Sequence, residues 1–186
     1  MKLNVFKVID FRVLSGLVGE TFITQICQLT NSFIKNPSLD GYPDLLIHNS
    51  EIEKQYFKNC TTKELIRYKY GGIEVKNTFG TKKANSYLIQ GDKRINDISQ
   101  KLDWKAHHRE TNKLIAIQSD YINEIPVIAA LYYSDQLIYD DWADVQKPKG
   151  ESAMTSFSVI TNSGFQKLKK GAKVCIDMPE YLNFIN

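Results

Sequence analysis

Two apolar runs stand almost back to back late in the sequence, "KLIAIQSDYI" (113–122) and "IPVIAALYYS" (125–134). Each has the length and composition of a β-strand, and the dipeptide between them permits only a tight connection. Further strand-like runs are "DLLIH" (44–48), "GIEVKNTF" (72–79) and "FSVI" (157–160). These segments predict that the chain folds around a β-sheet.

Two segments show the periodicity of a helix. In "SGLVGETFITQICQLTNSFI" (15–34), Ser15 is the candidate N-cap, and apolar residues recur at three- and four-residue steps: Val18, Phe22, Ile26, Leu29 and Phe33. A second helix is expected over 92–104, with shorter ones around 62–68 and after Thr161 or Asn162. The order of elements predicts one α/β domain over 1–186, with a mixed central sheet flanked by helices and a C-terminal addition over 136–186.

Composition excludes several classes of protein. The chain has 186 residues, 42% hydrophobic and 24% charged, as in ordinary globular domains, and its formal charge of +3 permits binding to a polyanion without requiring it. The three cysteines are far apart and form no C-x-x-C, which favours reduced thiols over a disulfide framework or zinc site. No apolar run is long enough to cross a membrane, so we expect a cytoplasmic protein.

Charged residues interrupt two of the strand-like runs, where they are costly unless something pairs with them. Asp44 follows a proline at the start of the first run, and Glu74 and Lys76 lie within the second. Because side chains alternate along a strand, Glu74 and Lys76 project together while Val75 enters the core. If the two strands pair, two carboxylates and an ammonium meet at one place on the sheet.

Mg²⁺ is usually bound by one or two carboxylates, with water and a substrate phosphate completing its coordination, so this pair of acids suits Mg²⁺. Mn²⁺ is a possible substitute. Asp44 and Glu74 are the expected ligands, and the backbone carbonyl of Val75 is a natural third. Lys76 then has two possible tasks. If burial lowers the pKa of its ammonium group, it can help to deprotonate an attacking water; otherwise it can neutralise negative charge on a phosphate. Phosphodiester hydrolysis needs these groups and no organic cofactor.

The pair "PD" (43–44) and "EVK" (74–76) resembles the PD-(D/E)xK motif, the active site of most type II restriction endonucleases. The core of that family is a helix, a three-stranded meander, a helix and a strand, and the order of elements over about 15–135 is similar. The resemblance implies a restriction-endonuclease-like fold, double-stranded DNA as substrate and a metal held at Asp44 and Glu74. It also implies that Glu20, on the first helix, is an auxiliary acid.

One departure from the family pattern leaves the first metal ligand open. Twenty-nine residues separate Asp44 from Glu74, which is long for a hairpin, so an insertion must lie between them. Acids in that insertion are rivals to Asp44: Glu51, Glu53 and Glu64. His48, four residues beyond Asp44, shares its face and either positions water or phosphate or is a strand-end histidine with a backbone partner.

Other polar residues carry weaker predictions. Gln118 lies in mid-strand, where it either faces the active site or makes a structural hydrogen bond. Five lysines are candidate contacts for a DNA backbone, and a solvated basic face is the alternative: Lys82, Lys83, Lys167, Lys169 and Lys170. His107, His108 and Arg109 form a basic triplet that is expected to contact DNA or to pack, rather than to bind a metal.

A closer resemblance extends over the whole chain. "WKAHHRETNKLIAIQSDYINEIPVIAALYYSD", "DDW" and "SVITNSGFQKL" are similar to the nuclease module of type IIS restriction enzymes, in particular the small subunit of the heterodimeric, nicking kind. That resemblance implies a larger partner that reads the DNA site, while this chain cuts one strand. A homodimeric restriction enzyme and a non-catalytic DNA-binding or assembly subunit remain alternatives. The recognition sequence, the cut position, the number of metals and the role of 136–186 stay open.

Overall fold

A computed structural model of the chain describes residues 9, 11–38, 41–61, 63–65, 71–79, 104–106, 112–123, 125–147 and 156–185. The helices are α1 (Phe11–Leu29), α2 (Glu51–Asn59), α3 (Asn162–Lys170) and α4 (Pro179–Ile185), with a 3₁₀ turn at Tyr139–Asp141. The strands are β1 (Phe33–Lys35), β2 (Leu45–Ile47), β3 (Glu74–Thr78), β4 (Lys105–Ala106), β5 (Leu114–Ile122), β6 (Ile125–Ser134), β7 (Ser158–Val159) and β8 (Ala172–Cys175).

Four strands form the central sheet, in the order β3–β5–β6–β8. β3 runs parallel to β5, whereas β5 and β6, and β6 and β8, are antiparallel. The tight connection between β5 and β6 passes through Asn123, which has a φ of 50° and belongs to a residue type that tolerates the left-handed region. The predicted mixed sheet is therefore confirmed.

A second, two-stranded sheet is joined to the edge of the first. β1 and β2 pair antiparallel, and Leu45 at the start of β2 exchanges backbone hydrogen bonds of 3.0 and 2.9 Å with Ile73, the residue before β3. This connection brings the start of β2 beside the start of β3, although an insertion separates them in sequence. The insertion contains α2, whose N-cap is Ser50.

Helices cover both faces of the central sheet, as predicted. On one face, α1 packs through Ile23 against Val75 and Ile117. On the other face, Leu168 of α3 and Ile185 of α4 pack in a cluster with buried sheet residues that include Tyr132. Since Glu74 and Lys76 alternate with Val75, their side chains project from the face opposite α1.

The boundaries of the first helix differ from the prediction. α1 spans Phe11–Leu29 rather than 15–34, so Ser15 is an interior residue and not the N-cap, and Phe33 belongs to β1. The helix ends where the Thr30 hydroxyl accepts the Ser32 N–H at 3.2 Å, a local bond that competes with continuation of the helix. Leu29, one of the apolar residues in the periodic pattern, is the last residue of the helix and is 82% exposed.

Three further helix predictions had different outcomes. The prediction of a short helix around 62–68 is wrong for residues 63–65, which form a turn. The helical segment lies earlier, in α2. Residues 62 and 66–70 lie outside the described part of the chain. The helix expected over 92–104 also lies outside it except for Trp104, whose indole donates to the Ile117 carbonyl at 2.9 Å. α3 follows its predicted cap, with Thr161 Oγ1 accepting the Gly164 N–H at 3.3 Å.

The thiols of Cys27, Cys60 and Cys175 are free, as the cysteine spacing predicts. Among the described residues, no helix combines the length and the hydropathy that a membrane span requires.

Candidate functional site

Backbone hydrogen bonds on two sides hold Asp44 beside β3. The Asn36 N–H donates to the Asp44 carbonyl at 2.9 Å, and the next residue, Leu45, is bonded to Ile73. From this position the Asp44 side chain reaches across to β3, where Oδ2 accepts the Val75 N–H at 2.8 Å. The carboxylate is thus anchored to the strand that carries Glu74 and Lys76.

Lys76 brings both acids together. Its Nζ lies 3.9 Å from Asp44 Oδ2 and forms an ion pair with Glu74 Oε1. Glu74 is almost completely buried, with 1% of its side chain exposed, whereas the side chains of Lys76 and Asp44 are 23% and 29% exposed. The expected convergence of two carboxylates and an ammonium is present.

Burial and repulsion disfavour two negative charges at this place. Burial, followed by the neighbouring charge of Glu74, raises the pKa of Asp44 from its ordinary 3.8 to about 6, although Lys76 and the Val75 N–H oppose the shift. Burial also opposes the charge on Lys76, but the charges of Glu74 and Asp44 outweigh it and raise the lysine pKa above its usual value. Of the two tasks considered for Lys76, the one that requires a lowered lysine pKa is therefore contradicted.

The donor set fits a hard divalent cation. Glu74 Oε2 is buried and has no hydrogen-bond partner among the described residues, which is costly for a carboxylate oxygen. The Glu74 N–H donates to the Lys113 carbonyl on the β5 side, so the backbone groups of Val75 point to the opposite edge, where Asp44 lies. In the described part of the chain no three His, Cys, Asp or Glu side chains form a cluster, and the available ligands are two carboxylates and this carbonyl.

Glu20 lies near these residues without contacting them directly. It is half exposed and forms an ion pair with Lys35 on β1. Its negative charge nevertheless makes a small contribution to the raised pKa of Asp44, which places it within electrostatic range. A role as an auxiliary acid stays a prediction.

The three acids that were rivals to Asp44 all bind elsewhere. Glu51 accepts from Gln55 Nε2 at 2.8 Å along α2, and Glu53 accepts the Asn49 N–H at 2.8 Å at the start of that helix. Glu64 accepts the N–H and hydroxyl of Thr61 at 2.9 and 2.8 Å. Among the acids considered, Asp44 is the one that shares Lys76 with Glu74.

Comparisons of the chain with protein-family models, curated proteins and solved structures found no match. Inferences about chemistry therefore depend on the residues themselves. A buried carboxylate, a half-buried carboxylate and a cationic lysine can bind a divalent cation and a phosphate side by side.

His48 and Gln118 have different surroundings. His48 is buried after β2, about 13 Å along the strand from Asp44 at 3.3 Å per residue, and its Nε2 has no hydrogen-bond partner within the described residues. Its catalytic role stays a prediction. Gln118 is buried and accepts the Tyr132 hydroxyl at 3.3 Å, so its structural hydrogen bond is confirmed.

Three of the lysines predicted to contact DNA are described, and each has a local partner or is exposed. Lys167 donates to the buried Asp141 at 2.5 Å, Lys169 lies over the Phe184 ring at 5.4 Å from its centroid, and Lys170 is exposed. The other candidates lie outside the described residues: Lys82, Lys83, His107, His108 and Arg109.

Sequence reasoning missed Asn77, which connects α1 to the site strand. The Ser15 hydroxyl donates to the Asn77 carbonyl at 3.1 Å, and Asn77 Nδ2 donates back to the Ser15 carbonyl at 3.2 Å. Asn77 Oδ1 also accepts the Ser119 hydroxyl of β5 at 2.7 Å. A polar residue on the α1 side of β3 was the available signal, because that face is otherwise apolar.

Proposed function

We propose that this chain is a Mg²⁺-dependent DNA endonuclease subunit that hydrolyses one strand of a duplex. The observation that carries the proposal is the position of Lys76 beside both Glu74, on the same strand, and Asp44, which directly precedes β2. An ordinary surface pair would leave both acids in water, whereas here Glu74 is buried and one of its oxygens is without a partner among the described residues.

The arrangement of strands supports the resemblance to the PD-(D/E)xK family. β1, β2 and β3 follow one another in antiparallel contact, and β3 then pairs in parallel with β5. A parallel pair of this kind needs a crossover between its strands, which agrees with the helix that the sequence predicts over 92–104. α1 packs on the same group of strands, as the first helix of that core would.

Each residue has a distinct part in the proposed reaction. Asp44, Glu74 and the Val75 carbonyl would hold the cation, which would supply an acidified water and stabilise charge at the phosphate. Lys76 is held in its charged form, so we assign it to the phosphate oxygens, where negative charge develops during attack by water. Cleavage leaves 5′-phosphate and 3′-hydroxyl ends, as the family resemblance implies.

We further propose that the chain is the small catalytic subunit of a heterodimeric type IIS enzyme. A net charge of +3 over 186 residues gives a weak general attraction to DNA, and the sequence contains no recognisable DNA-reading module. The purified chain should therefore cut poorly and without sequence preference. A larger recognition subunit would supply the missing affinity.

The full chain fused to a zinc-finger domain of known target sequence tests the proposal without the natural partner. The fusion should convert supercoiled plasmid carrying the target to the open circle when Mg²⁺ or Mn²⁺ is present, and DNA ligase should reseal the nicks. Fusions with Glu74→Ala or Lys76→Ala should be inactive, and one with Glu51→Ala, an exposed acid on α2, should cut normally. If the unmodified fusion makes no strand breaks with either ion, the nuclease proposal fails.

A further inference from the structure

Asn36 is a buried polar residue between β1 and the loop that leads to Asp44, and the proposed chemistry does not use it. It is 5% exposed. Its side-chain Nδ2 donates to the Pro43 carbonyl at 3.0 Å and to the Leu65 carbonyl at 3.4 Å, while Oδ1 accepts the Ser38 N–H at 2.9 Å. One amide therefore connects both ends of the loop to a segment that follows α2.

The space around this amide is closed. Gly41 lies against it so tightly that a Cβ added there would be 2.4 Å from Asn36 Oδ1. The backbone N–H of Asn36 also donates to the Asp44 carbonyl at 2.9 Å. Side chain and backbone together thus fix the two residues that begin the site, Pro43 and Asp44.

We propose that Asn36 is a positioning residue that sets the affinity of the site for a divalent cation by holding the Asp44 carboxylate toward β3. The inference depends on the proposed role of Asp44 as a metal ligand. Without the Asn36 amide, the Pro43 and Leu65 carbonyls lose a buried donor and the loop relaxes toward other partners. Asp44 then loses its fixed direction, and its bond to the Val75 N–H forms only part of the time.

The mechanism is that of residues which orient metal ligands without touching the metal. Loss of such a partner typically weakens metal binding by about 10–100-fold, because the ligand must be ordered again at each binding event. A residue with a purely structural role would lower the stability of the fold and leave the affinity of the folded protein unchanged. Cation affinity of the folded chain is therefore the measurement that separates the two roles.

Isothermal titration of the full chain with Mn²⁺, without DNA, tests the proposal. Asn36→Ala should weaken Mn²⁺ binding by about 10–100-fold. Asn36→Asp keeps the acceptor for Ser38 but loses both donated hydrogen bonds, so it should weaken binding similarly. Gly41→Ala changes neither Asn36 nor Asp44, but its Cβ would displace the Asn36 side-chain amide. It should therefore also weaken Mn²⁺ binding.

Tyr181→Phe is the matched control, because it removes a buried hydrogen bond, to Asp120, far from the site. It should lower the melting temperature and leave Mn²⁺ affinity unchanged. In an Asp44→Asn background, Asn36→Ala should have no additional effect on binding. Wild-type affinity in folded Asn36→Ala and Gly41→Ala variants would overturn the inference alone, whereas absence of Mn²⁺ binding by the wild type would overturn the metal site and the inference together.

Discussion

Replacement of Asp44 by asparagine should stabilise the metal-free protein at neutral pH, although it removes a proposed metal ligand. Burial and the charge of Glu74 raise the pKa of Asp44 to about 6 from an ordinary 3.8. A difference of about two pKa units corresponds to about 3 kcal/mol at most, by which the charged carboxylate is disfavoured in the folded state. Asparagine carries no charge and retains an oxygen that can accept the Val75 N–H.

The size of this stabilisation depends on pH. Because the folded pKa is raised, the stability associated with Asp44 is fully present below pH 3.8 and is lost as pH rises through about 6. Above that range, Asp44→Asn should raise the free energy of unfolding by about 1–3 kcal/mol, and the difference should shrink toward zero near pH 4. Titrating groups away from Asp44, Glu74 and Lys76 affect both proteins equally and cancel in the difference.

Urea unfolding at a series of pH values between 4 and 8, with EDTA present, measures this difference. Glu51→Gln is the control: it neutralises an exposed acid on α2 whose pKa is lowered by the hydrogen bond from Gln55, so it should gain no stability over the wild type as the pH rises. An Asp44→Asn protein that is less stable than the wild type at pH 8, or whose advantage does not decline with pH, would refute the electrostatic reasoning.

Three other predictions concern the frame of the site and the C-terminal region. Gly72→Ala should destabilise the fold by more than about 2 kcal/mol in thermal unfolding, because φ is 140° and the new Cβ would lie 2.2 Å from the Leu45 carbonyl oxygen. Gly71→Ala should lower the free energy of unfolding by about 1 kcal/mol, because φ is 71° but the space around the new Cβ is open. Lys76→Met should raise Mn²⁺ affinity in a calorimetric titration, because the cation no longer competes with an ammonium for both carboxylates; unchanged or weaker binding would contradict this. Asp141→Asn should lower the free energy of unfolding by about 2–4 kcal/mol at pH 7, because it weakens the bonds to Lys167. Burial opposes the charge of Asp141, but hydrogen bonds outweigh it and lower the pKa, so this loss should vanish on acidification.

The parts of the site that depend on strand alternation could be predicted from the sequence. A period of two places Glu74 and Lys76 on one face and Val75 on the other, whatever the rest of the fold does. The pairing of β2 with β3 could be stated only as a condition, since the bonds between Leu45 and Ile73 form across an insertion. Asn36 was missed for the same reason, because its contact with the Leu65 carbonyl joins positions 29 residues apart.

Helix boundaries were predicted less well, for local reasons. Serine is a residue type favoured at N-caps, but the Ser15 hydroxyl donates to a carbonyl on β3 instead. The helix begins four residues earlier, at Phe11. α2 was missed although Ser50 and Glu53 stand at capping-box spacing. Its apolar residues do not form one buried face, since Ile52 is 85% exposed whereas Phe57 is buried.

The electrostatics of the site connect its instability to its proposed function. Two features of the metal-free fold are unfavourable: the raised pKa of Asp44 and the buried Glu74 oxygen without a partner among the described residues. Neither is needed for folding, since a neutral pair of similar size would satisfy the same backbone. A divalent cation held by Asp44 and Glu74 would relieve both, because it would add positive charge beside the carboxylates and give the Glu74 oxygen a partner. Selection for stability alone would remove this arrangement, so its presence favours a site that binds a cation during function.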